Sequence, residues 1–217
     1  MLSRFVWASL CVLASACSAW AGSVKDPALE AAIRDVIKFP TGELTDEKLT
    51  GVFVLEAQGK SIKDLSGLEK CKNLASLRLT NNQIVDVKPL TGLPNLQSLD
   101  LAKNKIVDVT ALGTLTKLQY LELTDNAIEK IDALSSLPAL TSLYLSGNKI
   151  VDVAPAAKLT KLWSLHLGRN QIKDIAALGA LTKLNTLEIK ENAISDVTSL
   201  GKMTELSLLM MDKCKVT

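Results

Sequence analysis

The sequence predicts an α/β solenoid: a right-handed stack of short coils with a parallel sheet on its inner face and short helical turns on its outer face. Three observations predict it. A pattern recurs every 22 residues from Val52 to the end of the chain, without insertion or deletion. Within each repeat, leucines alternate with variable residues, as they do along a half-buried strand. An asparagine recurs where each of these strands ends, so equivalent strands should lie side by side.

Composition limits the possible functions of the chain. Of its 217 residues, 47% are hydrophobic, 22% charged and only 4% aromatic, which predicts a globular protein with an aliphatic core. The formal charge is +2, and no long block carries one sign. Nucleic acid is therefore not an expected partner, and no motif predicts a cofactor.

Residues 1–21, MLSRFVWASLCVLASACSAWA, are predicted to be a secretory signal peptide. Arg4 precedes an apolar stretch from Phe5 to Ala16, and small residues lead to a cleavage position after Ala21. Cys17 offers an alternative, because it could carry a lipid anchor. We favour ordinary cleavage, since Ala14 is smaller than the residue usual three positions before a lipidated cysteine. The expected location is secreted or in the cell envelope, in the periplasm or on the outer surface.

Residues 22–51 are predicted to form an N-terminal helical cap over the first coil. Asp26 and Pro27 form a helix start, with a capping side chain followed by proline at the first helical position. A second short helix is expected from Thr45 to Leu49, ending at Gly51. The apolar face of the first helix is predicted to consist of Leu29, Ile33, Val36 and Ile37.

Residues 52–217 form seven full repeats of 22 residues and a partial last one. In the six repeats that begin at Leu74, the first and fourth positions are always Leu, the sixth is Leu or Ile, and the eleventh is Ile. The ninth position should satisfy backbone groups where the chain leaves each strand, because an amide both donates and accepts hydrogen bonds. It is occupied by Asn82, Asn104, Asn126, Asn148, Asn170 and Asn192.

An aspartate precedes most of the expected outer turns. Apolar residues spaced by three, such as Val87, Leu90 and Leu93, predict short helical turns that these aspartates would cap. A metal ladder is the alternative, but Lys130 interrupts the column and one carboxylate per repeat is too few for calcium, so no metal is expected. The column is Asp64, Asp86, Asp108, Asp152, Asp174 and Asp196.

The cysteines outside the signal are predicted to be free thiols. Cys71 and Cys214 lie more than six repeats apart, about 30 Å at roughly 4.8 Å per strand, far beyond the reach of a disulfide. Cys71 is expected to be a small buried residue and Cys214 to replace the asparagine of the last repeat. That repeat exposes Leu208 and Met210 beside an unpaired strand edge, which predicts either a truncated final coil or a partner or second copy that covers this end.

The repeat L-x-x-L-x-L-x-x-N-x-I resembles the leucine-rich repeat, and its short period is similar to that of internalin-type bacterial proteins. The resemblance implies a rigid solenoid that recognises another protein on its inner sheet. It also implies that residues 22–51 cap the first coil.

The variable third and fifth positions of each repeat should face outward from the inner sheet and form any binding surface. Three consecutive repeats near the middle carry the rare aromatic residues. The alternative is an ordinary strand face, which needs polar or aromatic residues in any solenoid. The candidate partner-binding residues are Arg78, Asp100, Tyr120, Glu122, Tyr144, Trp163, His166 and Glu188.

Catalysis has little support. His166 is the one histidine of the sequence, and neither Cys71 nor Cys214 lies in a neighbouring repeat. Ser142 and Ser164 flank it, but no strained elbow or oxyanion pocket is encoded. We therefore expect no enzyme and no catalytic residues, but an exported protein-binding scaffold. The alternatives are a regulatory scaffold for a partner enzyme, a structural cell-envelope component, or a glycan as ligand.

Overall fold

In the computed structural model, residues 23–215 are described, so the predicted signal with Cys17 lies outside the described residues. Eight parallel strands form one sheet in chain order. Each strand residue pairs with its equivalent in the next repeat, as Leu121 does with Leu143. The predicted α/β solenoid with a parallel inner sheet is confirmed. The strands are β1 (Val54–Glu56), β2 (Ser76–Arg78), β3 (Ser98–Asp100), β4 (Tyr120–Glu122), β5 (Ser142–Tyr144), β6 (Ser164–His166), β7 (Thr186–Glu188) and β8 (Leu208–Met210).

The recurring aliphatic residues fill the interior of the coils. Leu121, Leu123, Ile128 and Leu143 have no exposed surface. Because side chains alternate along a strand, Leu143 points inward while its neighbours on β5 point to the other side of the sheet. Each fully buried Leu or Ile stabilises the fold by about 1.5–3 kcal/mol relative to exposure, and the repeats share one continuous core.

The asparagines form the predicted ladder between coils. Asn104 Nδ2 donates to the carbonyl oxygens of Leu79 and Leu101, both at 3.0 Å, and its Oδ1 accepts from the Ile84 N–H at 3.0 Å. Each asparagine thus bonds its own repeat and the preceding one. The other five make equivalent bonds, namely Asn82, Asn126, Asn148, Asn170 and Asn192.

Short 3₁₀ turns occupy the outer face, and aspartates cap them as predicted. Asp86 Oδ1 accepts from the Lys88 N–H at 2.9 Å, so the aspartate acts from one residue before the N-cap Val87. Asp108, Asp152, Asp174 and Asp196 make the same bond to the first residue of their turns. Asp64 instead bonds the Ser66 N–H, ahead of the first turn. The turns are Leu68–Lys70, Lys88–Gly92, Thr110–Thr114, Asp132–Ser136, Ala154–Lys158, Ala176–Ala180 and Thr198–Lys202.

Two helices precede the sheet, α1 (Pro27–Val36) and α2 (Asp46–Leu49). Asp26 caps α1 through Oδ1, which accepts from two N–H groups of the first turn. Its Oδ2 accepts from the N–H groups of Lys63 at 2.9 Å and Asp64 at 3.3 Å. One carboxylate therefore starts the helix and bonds it to the first coil. These bonds hold the pKa of Asp26 below its ordinary value although burial alone would raise it.

The predicted apolar face of α1 needs one correction. Leu29 and Ile33 are fully buried, but Val36 is 41% exposed and Ala32 is buried instead. Val36 lies in the last turn of α1 and borders an open cleft that Glu56 and Lys60 of the first coil also line.

At the other end, β8 is the edge strand. Leu208 is 49% exposed and Met210 half-buried, and Leu209, which faces the interior, is half-buried too. The Cys214 thiol lies 3.4 Å from the Ile189 carbonyl oxygen, replacing the asparagine amide as predicted. The two cysteines of the described residues, Cys71 and Cys214, are free; burial raises the pKa of the Cys71 thiol to about 12, which makes it unreactive.

Candidate functional site

The concave surface is the solvent-facing side of the sheet, formed by the third and fifth residues of each repeat. The buried leucine between them sets their direction, because successive strand side chains point to opposite faces. Among the predicted binding residues, those at the middle of the surface are half-buried by their neighbours. We call these the central patch: Asp100, Tyr120, Glu122, Tyr144 and His166.

Three rings form a continuous diagonal row across the central patch. The ring centroids of Tyr120 and Tyr144 are 5.4 Å apart, with an interplanar angle of 44°. Those of Tyr144 and His166 are 4.6 Å apart at 48°. Such tilted pairs are worth about 0.5–1.5 kcal/mol each, so the row is held as a preformed surface. Burial, followed by the nearby Glu122 carboxylate, raises the pKa of Tyr120 to about 12, and its hydroxyl stays protonated.

Glu188 lies at one end of this row and is buried, contrary to the expectation that it faces solvent. Only 6% of it is exposed. Its Oε2 lies 2.7 Å from His166 Nδ1 and its Oε1 lies 2.8 Å from Lys190 Nζ. Burial alone would raise the pKa of Glu188, but the hydrogen bonds from Lys190 and His166 outweigh it and hold that pKa below its ordinary value. An ionised carboxylate only accepts, so the proton lies on Nδ1, and Nε2 of His166 forms no hydrogen bond among the described residues.

Gly168 explains why the carboxylate of Glu188 can be buried. A Cβ at Gly168 would lie 2.5 Å from Glu188 Oε1. The missing side chain provides the space that the carboxylate occupies. Ser164, at the third position of the same repeat, is also buried, with 4% exposure, although the repeat pattern predicts it to be solvent-facing.

The acidic residues of the first repeats are arranged differently. Arg78 lies between Glu56 and Asp100, with Nη1 at 3.3 Å from the first and Nε at 3.8 Å from the second. Glu122 Oε1 accepts from the Thr124 N–H at 2.7 Å. Burial raises the pKa of Glu122, and the nearby Asp100 adds to this rise.

Trp163 is 57% exposed, as its candidate role requires, but it forms no ring pair with the row. It precedes β6, and its backbone N–H donates to the carbonyl oxygen of Thr141, which precedes β5. Trp163 therefore lies at the margin of the sheet, beside the strands that carry Tyr144 and His166.

Sequence reasoning missed Lys190, Gly168 and an ion pair that spans three repeats. Arg169 Nη2 lies 2.9 Å from Asp125 Oδ1, and the pair passes over Gly147, where a Cβ would collide with both side chains. The signal was present as a glycine in a column that the repeats from Leu74 onward otherwise fill with larger residues. Ser146, just before it, has a buried hydroxyl without a hydrogen-bond partner among the described residues.

The arrangement offers binding chemistry. Within residues 23–215, no group of three or more His, Cys, Asp and Glu side chains is placed to hold a metal ion. The hydrogen bonds of the described residues join His166 to Glu188, and none joins it to Ser142 or Ser164. No helix in that part of the chain is long and apolar enough to cross a membrane.

Known protein families share the repeat pattern of this chain. A leucine-rich repeat model matches residues 72–128 and 107–150, and a model of two such repeats matches residues 138–180, so together they reach half of the chain. No curated protein matches the sequence. The chain belongs to the leucine-rich repeat family, whose members act as protein-binding scaffolds. It is an internalin-like bacterial member of that family.

Solved structures support this assignment. Internalin C2 from Listeria monocytogenes is 31% identical with a TM-score of 0.71, over 87% of this chain and 94% of that one. The Listeria internalin inlF is 30% identical with a TM-score of 0.67, over 90% and 71% of the two chains. A leucine-rich repeat protein from Leptospira interrogans is 28% identical with a TM-score of 0.75, over 80% of this chain and 46% of that one.

Proposed function

We propose that this protein is an exported scaffold that captures a protein ligand on the central patch of its concave surface. The observation that carries the proposal is the row of rings formed by Tyr120, Tyr144 and His166. Tyrosines at the centre of an interface, surrounded by charged residues, are typical of residues that dominate binding energy. Arg78, Glu122 and the exposed Trp163 extend the contact area around them.

Rigidity supports the same proposal. The strands beneath the rings are paired on both sides, and Asn126 and Asn148 bond adjacent coils behind them. His166 is held by Glu188 at 2.7 Å. A preformed surface loses little conformational entropy when a partner binds, so more of the contact energy appears as affinity.

The test is capture of partners by the purified protein and by two triple variants. The concave variant replaces Tyr120, Tyr144 and His166 by Ser, the residue that neighbouring repeats carry on this face. The control variant replaces three exposed apolar residues outside the strands by Ser, namely Val85, Val107 and Val151. We expect the concave variant to lose capture at least tenfold, with an unchanged circular dichroism spectrum and unchanged capture by the control. Equal capture by both variants would reject the central patch.

The identity of the captured molecule separates the alternatives. A protein ligand is lost when the extract is treated with protease, whereas a glycan ligand is lost on treatment with glycosidase. A captured enzyme whose activity changes on binding would favour the regulatory scaffold.

Export is part of the proposal and rests on residues 1–21. We expect the mature protein to begin at Gly22, as N-terminal sequencing would determine, and deletion of residues 1–21 to retain it in the cytoplasm. A lipid anchor at Cys17 gives a different result, since labelled fatty acid would then be incorporated and the Cys17→Ser variant would lose it.

A second contact surface is proposed at the β8 edge, where Leu208 is exposed and Met210 is half-buried. Self-association there would make the protein a structural component of the envelope. Sedimentation velocity of the protein and of a Leu208→Ser, Met210→Ser variant tests it, and a concentration-independent monomer in both removes this alternative.

A further inference from the structure

The carboxylates at the fifth position of the repeats differ in how their charge is balanced. Four of the described repeats carry one there. Glu56 and Asp100 share Arg78, at 3.3 Å and 3.8 Å. Glu188 is paired with Lys190 at 2.8 Å. Three of the four therefore have a cation of this chain within ion-pair distance.

Glu122 is the exception. Among residues 23–215 it forms no ion pair, and Oε1 accepts a hydrogen bond from the Thr124 N–H. It is partly buried beside Asp100, and burial followed by that like charge raises the pKa of Glu122 despite the bonds from Thr124. At neutral pH its negative charge is thus only partly compensated, and a cation placed against it would be stabilised.

Two aromatic rings adjoin this carboxylate. Tyr120 lies on the same side of β4 as Glu122, two residues away, and Tyr144 is the register partner of Glu122 on β5. The two rings are 5.4 Å apart and tilted by 44°, so their faces are not stacked against each other. The face of an aromatic ring attracts an ammonium or guanidinium group by about 0.5–2 kcal/mol, more when water is excluded.

We infer that the protein partner places a lysine or arginine side chain at Tyr120 and Tyr144, with its charge against Glu122. This inference rests on the proposed function and names the chemistry that the partner must bring. The aliphatic stem of the side chain lies along the rings while the charged end reaches the carboxylate, since long cationic side chains bury their stems in this way. The partner thus supplies the cation that the chain supplies to its other three carboxylates.

An inorganic cation fits the same place less well. Calcium takes six to eight oxygen ligands and magnesium a full octahedron, whereas the pocket offers one carboxylate and two phenol groups. Arg78 is already engaged by two carboxylates. A single carboxylate beside two aromatic rings suits an organic cation, which needs fewer oxygen ligands than a metal ion.

The experiment uses side-chain analogues as probes, so that it does not depend on the unidentified partner. NMR spectra of the isotope-labelled protein are recorded while Nα-acetyl-lysine methylamide, Nα-acetyl-arginine methylamide or the neutral Nα-acetyl-norleucine methylamide is added. We expect the ring signals of Tyr120 and Tyr144 to shift with the two cationic probes, with a Kd on the order of 10 mM, and at least fivefold more weakly with the neutral probe. Magnesium chloride is expected to cause no comparable shift.

Two matched variants sharpen the result. Glu122→Gln keeps the shape of the side chain and removes its charge, and we expect it to weaken cationic probe binding at least fivefold. Glu56→Gln removes an exposed carboxylate on the same surface that already has an ion pair, and we expect binding as in the parent protein. Equal binding of the norleucine probe, or unchanged binding in Glu122→Gln, would overturn the inference.

The same variants distinguish this inference from the proposed function. If the concave triple variant loses partner capture while Glu122→Gln keeps it, the central patch binds a partner of other chemistry and only the cation site is wrong. If the triple variant keeps capture, the proposed function fails, whatever the probes show.

Discussion

The interior and the concave surface are built by alternate residues of the same strands, yet they follow different rules. Every interior position repeats because each buried Leu or Asn meets an equivalent residue in the next coil, so one solution serves all coils. The burial and the charge partners of each concave residue depend only on its immediate neighbours. Glu188 is buried because His166, Lys190 and Gly168 happen to surround it, whereas Glu122 has no cation partner among the described residues. Repetition therefore marks what holds the coils together, and departure from repetition marks what can bind.

The largest expected effect on stability distinguishes two adjacent residues of β5, the inward-facing Leu143 and the outward-facing Tyr144. Leu143→Ala should lower the free energy of unfolding by about 3–5 kcal/mol, because it opens a cavity in a fully buried stack. Tyr144→Ser should cost about 1–2 kcal/mol, from its ring contacts alone. Urea denaturation of both variants measures the difference, and similar losses would abolish the distinction between the two faces.

The asparagine ladder should respond next most strongly. Asn148→Ala leaves the Ile128 N–H without a partner, while the carbonyl oxygens of Leu123 and Leu145 each lose one bond and keep those from Asn126 and Asn170. We expect a loss of about 2–3 kcal/mol in thermal or urea unfolding, since an unsatisfied buried group costs about 1–3 kcal/mol. Asn185→Ala is a suitable control, because that asparagine bonds at the exposed margin of the sheet. A loss below that of the control would contradict a structural role for the ladder.

A third prediction concerns the pH dependence of stability at two glutamates of the concave surface, Glu188 and Glu122. The expected dependence has opposite signs at the two positions. The folded pKa of Glu188 lies below its ordinary 4.5, so the stability it contributes is present above pH 4.5 and is lost as pH falls through the folded pKa. The folded pKa of Glu122 lies above 4.5, so its contribution is greatest below that pH and is lost as pH rises through the folded pKa.

At pH 7, Glu188→Gln should therefore destabilise the protein by about 1–2 kcal/mol, while Glu122→Gln should stabilise it by up to about 1 kcal/mol. Unfolding free energies measured from pH 3 to pH 7 test both signs. The same sign for both variants would show that the two carboxylates have equivalent surroundings.

The smallest effect lies at the margin of the concave surface. Gly147→Ala should cost about 1 kcal/mol, because its Cβ would force apart the Arg169–Asp125 ion pair. Gly59→Ala is the matched control, since Gly59 also has a positive φ but its nearest contact would be at 3.7 Å. The excess cost at Gly147 should fall in high salt, and an equal cost at both glycines would assign it to backbone strain alone.

The fold could be predicted almost completely from the sequence because the 22-residue period repeats one local interaction many times. The strands, the asparagine ladder, the aspartate caps and the free thiols all follow from it. Val36 was wrongly placed on the buried face of α1, because helical periodicity does not say which residues at the end of a helix the neighbouring coil covers. The candidate site was predicted as a set of positions, and its binding role stays a prediction.

What the sequence by itself determined is the direction of each side chain, inward or outward, since a period of two along the strand and of 22 between strands leaves no other arrangement. What only the tertiary structure decided is how outward residues of different repeats combine. Side-chain lengths, rotamers and a neighbouring glycine decide the ring row from Tyr120 to His166, the burial of Glu188 and the lack of an ion pair at Glu122 within residues 23–215. Most of these contacts join residues of different repeats and follow no period, so only the packed coils bring them together.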